Sequence, residues 1–287
     1  MTAFLHDQLR FHYLDTGTSG TSEVPFFFQH GLGGDVGQPS GLFSPPPGIR
    51  LLCFDCRAHG ETTPVGDPGK LRIAVFADDL RALMDRLEIP DAVIGGISMG
   101  AAVALNFALR FPERTRGLVL SRPAWLAGPM EENARIYAAI AKLTREHGAA
   151  RGREAFAETE DYRKTLRLSP DAAASLLGQF DNPRAEETVA KLERIPTDSP
   201  VDRLEAVEAI GAPTLVLANR QDPIHPFEYG EVLARRISGA EFREITPKSL
   251  SRERHMADVQ AALEAFLARF LARQPVNGLP NHGNTGH

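Results

Sequence analysis

Ala92-Val93-Ile94-Gly95-Gly96-Ile97-Ser98-Met99-Gly100-Ala101-Ala102-Val103-Ala104-Leu105 decides the reading of this chain. An apolar strand-like run enters Gly96-Ile97-Ser98-Met99-Gly100 and a helical run leaves it. A Gly-x-Ser-x-Gly core between a strand and a helix predicts a sharp turn that lifts the serine hydroxyl clear of a sheet. Its neighbours must be small because the backbone there is strained and crowded. Ser98 is therefore the candidate nucleophile.

A serine hydroxyl is a weak nucleophile at neutral pH and needs a base within hydrogen-bond reach, itself oriented by a carboxylate. On an elbow of this kind the acid and then the histidine follow further along the chain. Pro213 to Ala218 reads as a buried parallel strand, and the loop after it carries Asp222, the candidate acid. Beyond the helical middle of the chain four histidines follow Ser98: His225, His255, His282 and His287. The last two lie beyond the Pro- and Gly-containing stretch 275–281, expected to be a floppy tail. His225 stands only three residues after Asp222, which argues against its reaching Ser98 while that carboxylate holds it. His255, just ahead of the amphipathic series Val259, Leu263, Phe266, Leu267 and Phe270, is the expected base.

Acyl chemistry also requires two backbone N–H groups aimed at the developing oxyanion. Met99, the residue after the nucleophile, supplies one. Leu32, in the turn His30-Gly31-Leu32-Gly33-Gly34 after the apolar run Val24 to Phe28, is expected to supply the other. His30, and the pair Asp55 and His59, are expected to order this region without carrying protons.

Five patches in order resemble the α/β-hydrolase superfamily: residues 30–34; Phe54-Asp55-Cys56-Arg57-Ala58-His59-Gly60-Glu61-Thr62; residues 96–100; the Asp222 strand end; and the His255 segment. The resemblance covers residues 10–122 and 208–272. It is nearest to the 3-oxoadipate enol-lactonase, carboxylesterase and cofactor-free perhydrolase branches. It implies an α/β-hydrolase fold, a mostly parallel doubly wound sheet with an inserted helical cap, and no cofactor or metal. Ala58, Thr62 and Ala101 stand where the family usually has glycine, serine and glycine. Serine as nucleophile separates the chain from the resembling branches that attack with aspartate. Val119-Leu120-Ser121-Arg122-Pro123 offers no carboxylate, which leaves the acid to Asp222.

Strands are expected at 9–14, 24–29, 50–55, 92–95 and 117–121, with helices at 73–87 and 98–110, an alternation that predicts a parallel sheet covered on both faces. From about Arg122 to Ala206 the texture turns helical and alanine-rich, with helices at 132–145, 151–160, 169–180 and 185–194. The expected division is a first core part at 1–121, a cap at 122–206, a second core part at 207–274 and a tail at 275–287. Gly31, Trp125, Met130 and Tyr137, with Leu126 and Phe180 beside them, are candidates for the substrate pocket.

The 287 residues carry 32 Lys and Arg against 37 Asp and Glu, a net charge of −5, with 43% hydrophobic residues. No basic patch argues for a nucleic-acid partner. No apolar run approaches the roughly 18 residues of a spanning helix, and the start lacks the pattern of a secretory signal, so a cytoplasmic protein without a membrane partner is expected. Cys53 and Cys56 have Cys-x-x-Cys spacing, but three positions apart on a strand puts them on opposite faces, and no second ligand pair exists. The expected activity is hydrolysis of a small carboxylic ester or lactone through an acyl-enzyme on Ser98. Carbon–carbon bond hydrolysis, perhydrolysis, acyl transfer and a non-catalytic ligand receptor are the alternatives.

Overall fold

The computed structural model describes residues 2–17 and 23–271; the expected tail and its His282 and His287 lie outside the described residues. The elements in chain order are β1 (Thr2–His6), β2 (Leu9–Asp15), β3 (Val24–Gln29), α1 (Gly37–Leu42), β4 (Ile49–Phe54), α2 (Ile73–Arg86), β5 (Ala92–Ile97), α3 (Met99–Arg110) and β6 (Thr115–Ser121). Then come α4 (Glu131–Ala157), α5 (Glu160–Leu168), α6 (Pro170–Leu177), α7 (Ala190–Arg194), β7 (Thr214–Ala218), α8 (Phe227–Arg236), β8 (Glu241–Glu244) and α9 (Arg252–Leu271).

The strands among the described residues form one eight-stranded sheet in the order β1-β2-β4-β3-β5-β6-β7-β8. The β1–β2 and β2–β4 pairs are antiparallel and all others parallel. Helices on both faces explain why β5 is buried at every position and β3 at all but Pro25. One face packs Phe27, Ile94, Leu118 and Leu120 under α2 and α3. The other packs Phe26, Phe28, Val119 and Leu215 under Phe266 and Phe270 of α9.

Two strands escaped the sequence reading. β1 joins β2 through Asp7 and Gln8, both at positive φ (48° and 64°), a tight hairpin turn made without the Asn-Gly or Asp-Gly pair that usually marks it. β8 reads Glu-Phe-Arg-Glu and lies at the sheet edge, where polar residues suit a strand with one open side.

Between β6 and β7 the chain forms α4 to α7. Gly148 (φ 76°, ψ 169°) breaks α4 into two helical arms, and α5, not expected from the sequence, follows with Thr159 as its N-cap. Polar side chains tie this helical region to the loop after β4. Arg184 Nη1 donates to Gly60 O (3.0 Å) and Thr62 O (2.8 Å). The buried Lys191 Nζ donates to Ala58 O at 3.2 Å.

The parallel strands deliver three neighbouring ends to one edge of the sheet. Ser98 N donates to Ser121 O at 2.9 Å and Arg122 N to Leu217 O at 2.7 Å, so the exits from β5, β6 and β7 are in register. Each exit carries a non-glycine residue in the left-handed region: Ser98 (φ 56°), Arg122 (φ 51°) and Gln221 (φ 60°). Such conformations cost on the order of 1–3 kcal/mol each and persist where the surroundings over-determine them.

The elbow itself is held by close approach. A β-carbon at Gly96 would lie 2.1 Å from the Gly100 carbonyl carbon, and one at Gly100 would lie 2.3 Å from the Gln29 carbonyl oxygen. Gly100→Ala should therefore lower the unfolding free energy by about 1–3 kcal/mol, the usual range for overpacking. Urea denaturation checks this, and an unchanged midpoint would show that β3 can move away from the elbow.

Candidate active site

Ser98 stands at the N-terminus of α3 with φ 56° and ψ −109°. Its Oγ is 2.9 Å from an imidazole nitrogen, and that ring belongs to His225: Nε2 faces Ser98 while Nδ1 lies 2.9 Å from Asp222 Oδ2. The three side chains form a continuous hydrogen-bonded line from the exit of β5 to the exit of β7.

The expectation for His255 is corrected by this geometry. His255 lies in the first turn of α9, fully buried, with Nδ1 donating to Thr246 O at 2.8 Å. Its Nε2 is buried without a hydrogen-bond partner. Burial lowers the imidazole to about 4, although the Thr246 carbonyl favours the charged form, so the ring is neutral at neutral pH. Neither ring nitrogen is hydrogen-bonded to Ser98 or Asp222.

His225 reaches Ser98 because Asp222 folds its own loop. Asp222 Oδ1 accepts from both Ile224 N (3.1 Å) and His225 N (3.2 Å), a local aspartate turn of the kind such side chains favour. The turn reverses Pro223-Ile224 and brings the imidazole back against the other carboxylate oxygen. Three residues of separation are then sufficient, because β7 lies beside β6 and β6 beside β5.

Burial alone would raise the Asp222 carboxyl, but His225 and Arg122 beside it hold it well below the usual carboxylate range. Burial pushes the His225 imidazole below its ordinary value; Asp222 pulls it back, and the Arg122 cation pushes it down again. At neutral pH this gives an ionised acid and a neutral imidazole.

The proposed oxyanion donors flank the serine. Met99 opens α3, so its N–H belongs to the first turn, whose N–H groups have no intrahelical acceptor. Leu32 lies in a turn closed by Gly34 N donating to Gly31 O (2.9 Å), with Gly31 N donating to Gln38 Oε1 (2.7 Å). His30 fixes this turn: Nδ1 donates to Gly31 O at 2.8 Å and Nε2 accepts from Cys56 N at 3.0 Å. The His59 ring lies between Leu32 O (2.9 Å) and Arg57 O (2.8 Å). Asp55 accepts from Val36 N (2.8 Å) and Glu61 N (2.9 Å), locking the β4 exit to the same turn. Burial pushes both imidazoles down; a neutral His59 ring has one N–H and so donates to one of its two carbonyls at a time.

A cavity of about 290 Å³ opens over Ser98 and His225. Gly31 and Tyr137 line it, as the sequence reading expected of them. Trp125 and Met130 do not. Both are buried in the large core cluster, Trp125 donating Nε1–H to Asp198 O at 3.2 Å. Leu126 packs against that cluster and Phe180 is buried against Phe156. The polar lining was missed: Arg122 at the β6 exit, Asp171 in the first turn of α6, Gln179, Lys248 from the β8–α9 connection and Arg252 at the start of α9. Arg122 occupies the strand end where the sequence lacks a carboxylate, which was the signal available. Burial, and then the Arg122 charge, lower Lys248 to about 8, opposed by Asp171.

Among the described residues no group of His, Cys, Asp and Glu side chains is arranged to hold a metal ion, and no helix is long and apolar enough to cross a membrane. Cys53 and Cys56 are free, buried thiols, each pushed well up by burial.

The alpha/beta hydrolase fold family model matches residues 24–249, and the chain belongs to that family. Within it, the chain is 27% identical to 3-oxoadipate enol-lactonase 2 of Acinetobacter baylyi, over 91% of this chain and 98% of that one. It is 28% identical to a 2-hydroxy-6-oxononadienedioate/2-hydroxy-6-oxononatrienedioate hydrolase of Burkholderia vietnamiensis, over 78% of each. The crystal structure of the enol-lactonase from Burkholderia xenovorans shares the fold, with a TM-score of 0.71 and 24% identity, covering 93% of this chain and all of that one.

If His225 is the group that activates Ser98, His225→Gln should slow labelling of Ser98 by a small fluorophosphonate by roughly 10³-fold or more. His255→Gln should leave the rate within about tenfold. Intact-mass kinetics decide between them, and the reverse order would return the role of base to His255.

Proposed function

We propose that the protein is a serine hydrolase that cleaves a small carboxylic ester or lactone through an acyl-enzyme on Ser98. The observation that carries the reading is the line Asp222 Oδ2–His225 Nδ1 and His225 Nε2–Ser98 Oγ, 2.9 Å at each step, beneath a cavity.

Ser98 Oγ attacks the substrate carbonyl carbon as His225 Nε2 takes the hydroxyl proton. Asp222 holds the ring in orientation and stabilises the imidazolium that forms. The carbonyl oxygen, now an anion, is received by the N–H groups of Leu32 and Met99, a contribution whose loss typically costs about 10²- to 10³-fold in rate. The intermediate collapses as the imidazolium returns its proton to the departing alkoxide, which is the free alcohol of an ester or the ring-opened hydroxyl of a lactone. Water then attacks the acyl carbon with His225 as base again, and the carboxylic acid leaves Ser98.

Similarity to 3-oxoadipate enol-lactonase 2 along nearly the whole of both chains supports the ester or lactone reading. Similarity to the nonadienedioate hydrolase favours a second reading, carbon–carbon bond hydrolysis with the same triad. A panel of lactones, short esters and ring-fission diketones separates the two.

Three outcomes are expected. Ser98→Ala abolishes ester turnover with the fold retained. Asp222→Asn costs on the order of 10⁴-fold in kcat, whereas Glu228→Gln, outside the triad, does not; equal losses would remove Asp222 as the acid. The third concerns pH. A base works when unprotonated, so the rate rises as His225 loses its proton, and its lowered affinity for that proton places the midpoint of the acid limb below the ordinary 6.5. A kcat/KM profile over pH 4–8, an interval spanning about two units either side of a typical histidine midpoint, checks the sign. A limb centred above 6.5 would contradict it.

A further inference from the structure

Two groups compete for one nitrogen in this site. His225 Nδ1 lies 2.9 Å from Asp222 Oδ2, which accepts only from a protonated Nδ1. It also lies 3.1 Å from Arg122 Nη2, a donor that can bond only an unprotonated Nδ1. The same Nη2 is 3.3 Å from Asp222 Oδ2. A neutral imidazole carries one N–H, so the two arrangements exclude each other.

The alternatives differ in what Ser98 meets. With the proton on Nδ1, the ring donates to Asp222 and Nε2 presents its lone pair to the serine hydroxyl, which is the arrangement a base needs. With Arg122 donating to Nδ1, the proton sits on Nε2 and points at Ser98 Oγ, and the ring cannot take the serine proton. The cation also stands against the imidazolium that must form as Ser98 attacks.

Arg122 is built to leave. Its Nε is buried without a hydrogen-bond partner, and the side chain lines the cavity over Ser98 with 12% of its surface exposed. The backbone is pinned by the Arg122 N to Leu217 O bond, so a change of side-chain torsion suffices to carry the guanidinium into the cavity.

We propose that Arg122 gates the triad and that the natural substrate carries a second, anionic group. That group draws the guanidinium off His225 Nδ1, the ring gives its Nε2 proton to solvent and takes one from solvent at Nδ1, and the Asp222–His225–Ser98 line becomes competent. The inference rests on the serine-hydrolase reading above. Charged and titratable groups facing the ring come from every side. They are Asp222 from the same loop, Ser98 from the elbow, Arg122 from the β6 exit and Lys248 from the β8–α9 connection. Tyr137 of α4 faces Asp222, and Asp171 and Arg252 line the cavity further out. Asp171 offsets part of the cationic charge. Of the cations named, Arg122 is the one within hydrogen-bond distance of the ring, at Nδ1.

The test uses two esters with one leaving group and nearly one shape: mono-p-nitrophenyl pimelate, which ends in a carboxylate, and p-nitrophenyl heptanoate, which ends in a methyl. The wild-type protein at pH 7 should give a kcat for the pimelate ester at least about tenfold above that for the heptanoate, the effect of roughly 1.4 kcal/mol in the barrier. In Arg122→Gln the ratio should fall to near one, with the heptanoate kcat rising as the cation beside the ring is lost. The acid limb of kcat/KM for heptanoate should move to higher pH by about one unit, since a nearby cation no longer disfavours the protonated ring; a merely structural role would not move it.

Equal kcat on the two esters in a wild-type protein whose turnover depends on Ser98 would overturn the gate and leave the hydrolase reading standing. This comparison needs no variant, so a misfolded Arg122→Gln would not block it. A preference for the pimelate ester that survives in folded Arg122→Gln, with the limb unmoved, would also overturn it. Loss of both the turnover and the Ser98 labelling would instead defeat the hydrolase reading, and the gate with it.

Discussion

The close contact of three backbone segments at Gly96, Gly100 and Gln29 is the constraint on which the site depends. Neither glycine has room for a β-carbon, so the chain leaving β5 turns at once into α3 and Ser98 is left in the left-handed region with its hydroxyl facing the cavity. Everything assigned to Ser98 follows from that turn. The same compactness places β3 beside β5, and hence the Leu32 turn beside the serine. It also starts a helix at Met99, whose N–H is left for a ligand.

Around this turn the protein sets two kinds of polar structure. One is rigid and serves the backbone: Asp55 spans the loop after β3 and the loop after β4, while His30 and His59 brace the Leu32 turn from beneath. These groups are buried and hold their partners in fixed geometry, as buried polar networks must if they are not to cost stability. The other is poised. Asp222, His225, Arg122 and Lys248 share a partly enclosed space in which charges interact more strongly than in water. They come from three neighbouring connections, Arg122 from the β6 exit, Asp222 and His225 from the β7 exit and Lys248 from the β8–α9 connection, an arrangement that follows from strand order.

Much of the fold was legible because it is written in strong local signals. Six strands were placed within a few residues from apolar runs, and α2 and α3 from helical periodicity. Where the signal was weak the reading missed: β1 closes through an Asp-Gln turn, and β8 has the polar sequence of an edge. Ser98 and Asp222, which the structure joins in one hydrogen-bonded line, were readable from a motif and a strand end. The histidine between them was not. Separation along the chain argued against His225, but Asp222 folds its loop back through two backbone hydrogen bonds, a local geometry that distance in sequence does not convey. Trp125 and Met130 were apolar residues in the right region, and the structure uses them for packing. Arg122 was visible only as the lack of a carboxylate at a strand end, and its role emerges when its contact with His225 is seen.

The central claim is that Ser98, His225 and Asp222 act as one unit with the oxyanion received at Leu32 and Met99. The most direct measurement is a crystal structure of the protein after reaction with a small fluorophosphonate. The account predicts phosphorus on Ser98 Oγ, a phosphonyl oxygen within hydrogen-bond distance of the Leu32 and Met99 N–H groups, and the His225 ring between the adduct and Asp222. An adduct on another residue, or His255 in place of His225 beside the phosphonyl group, would contradict it.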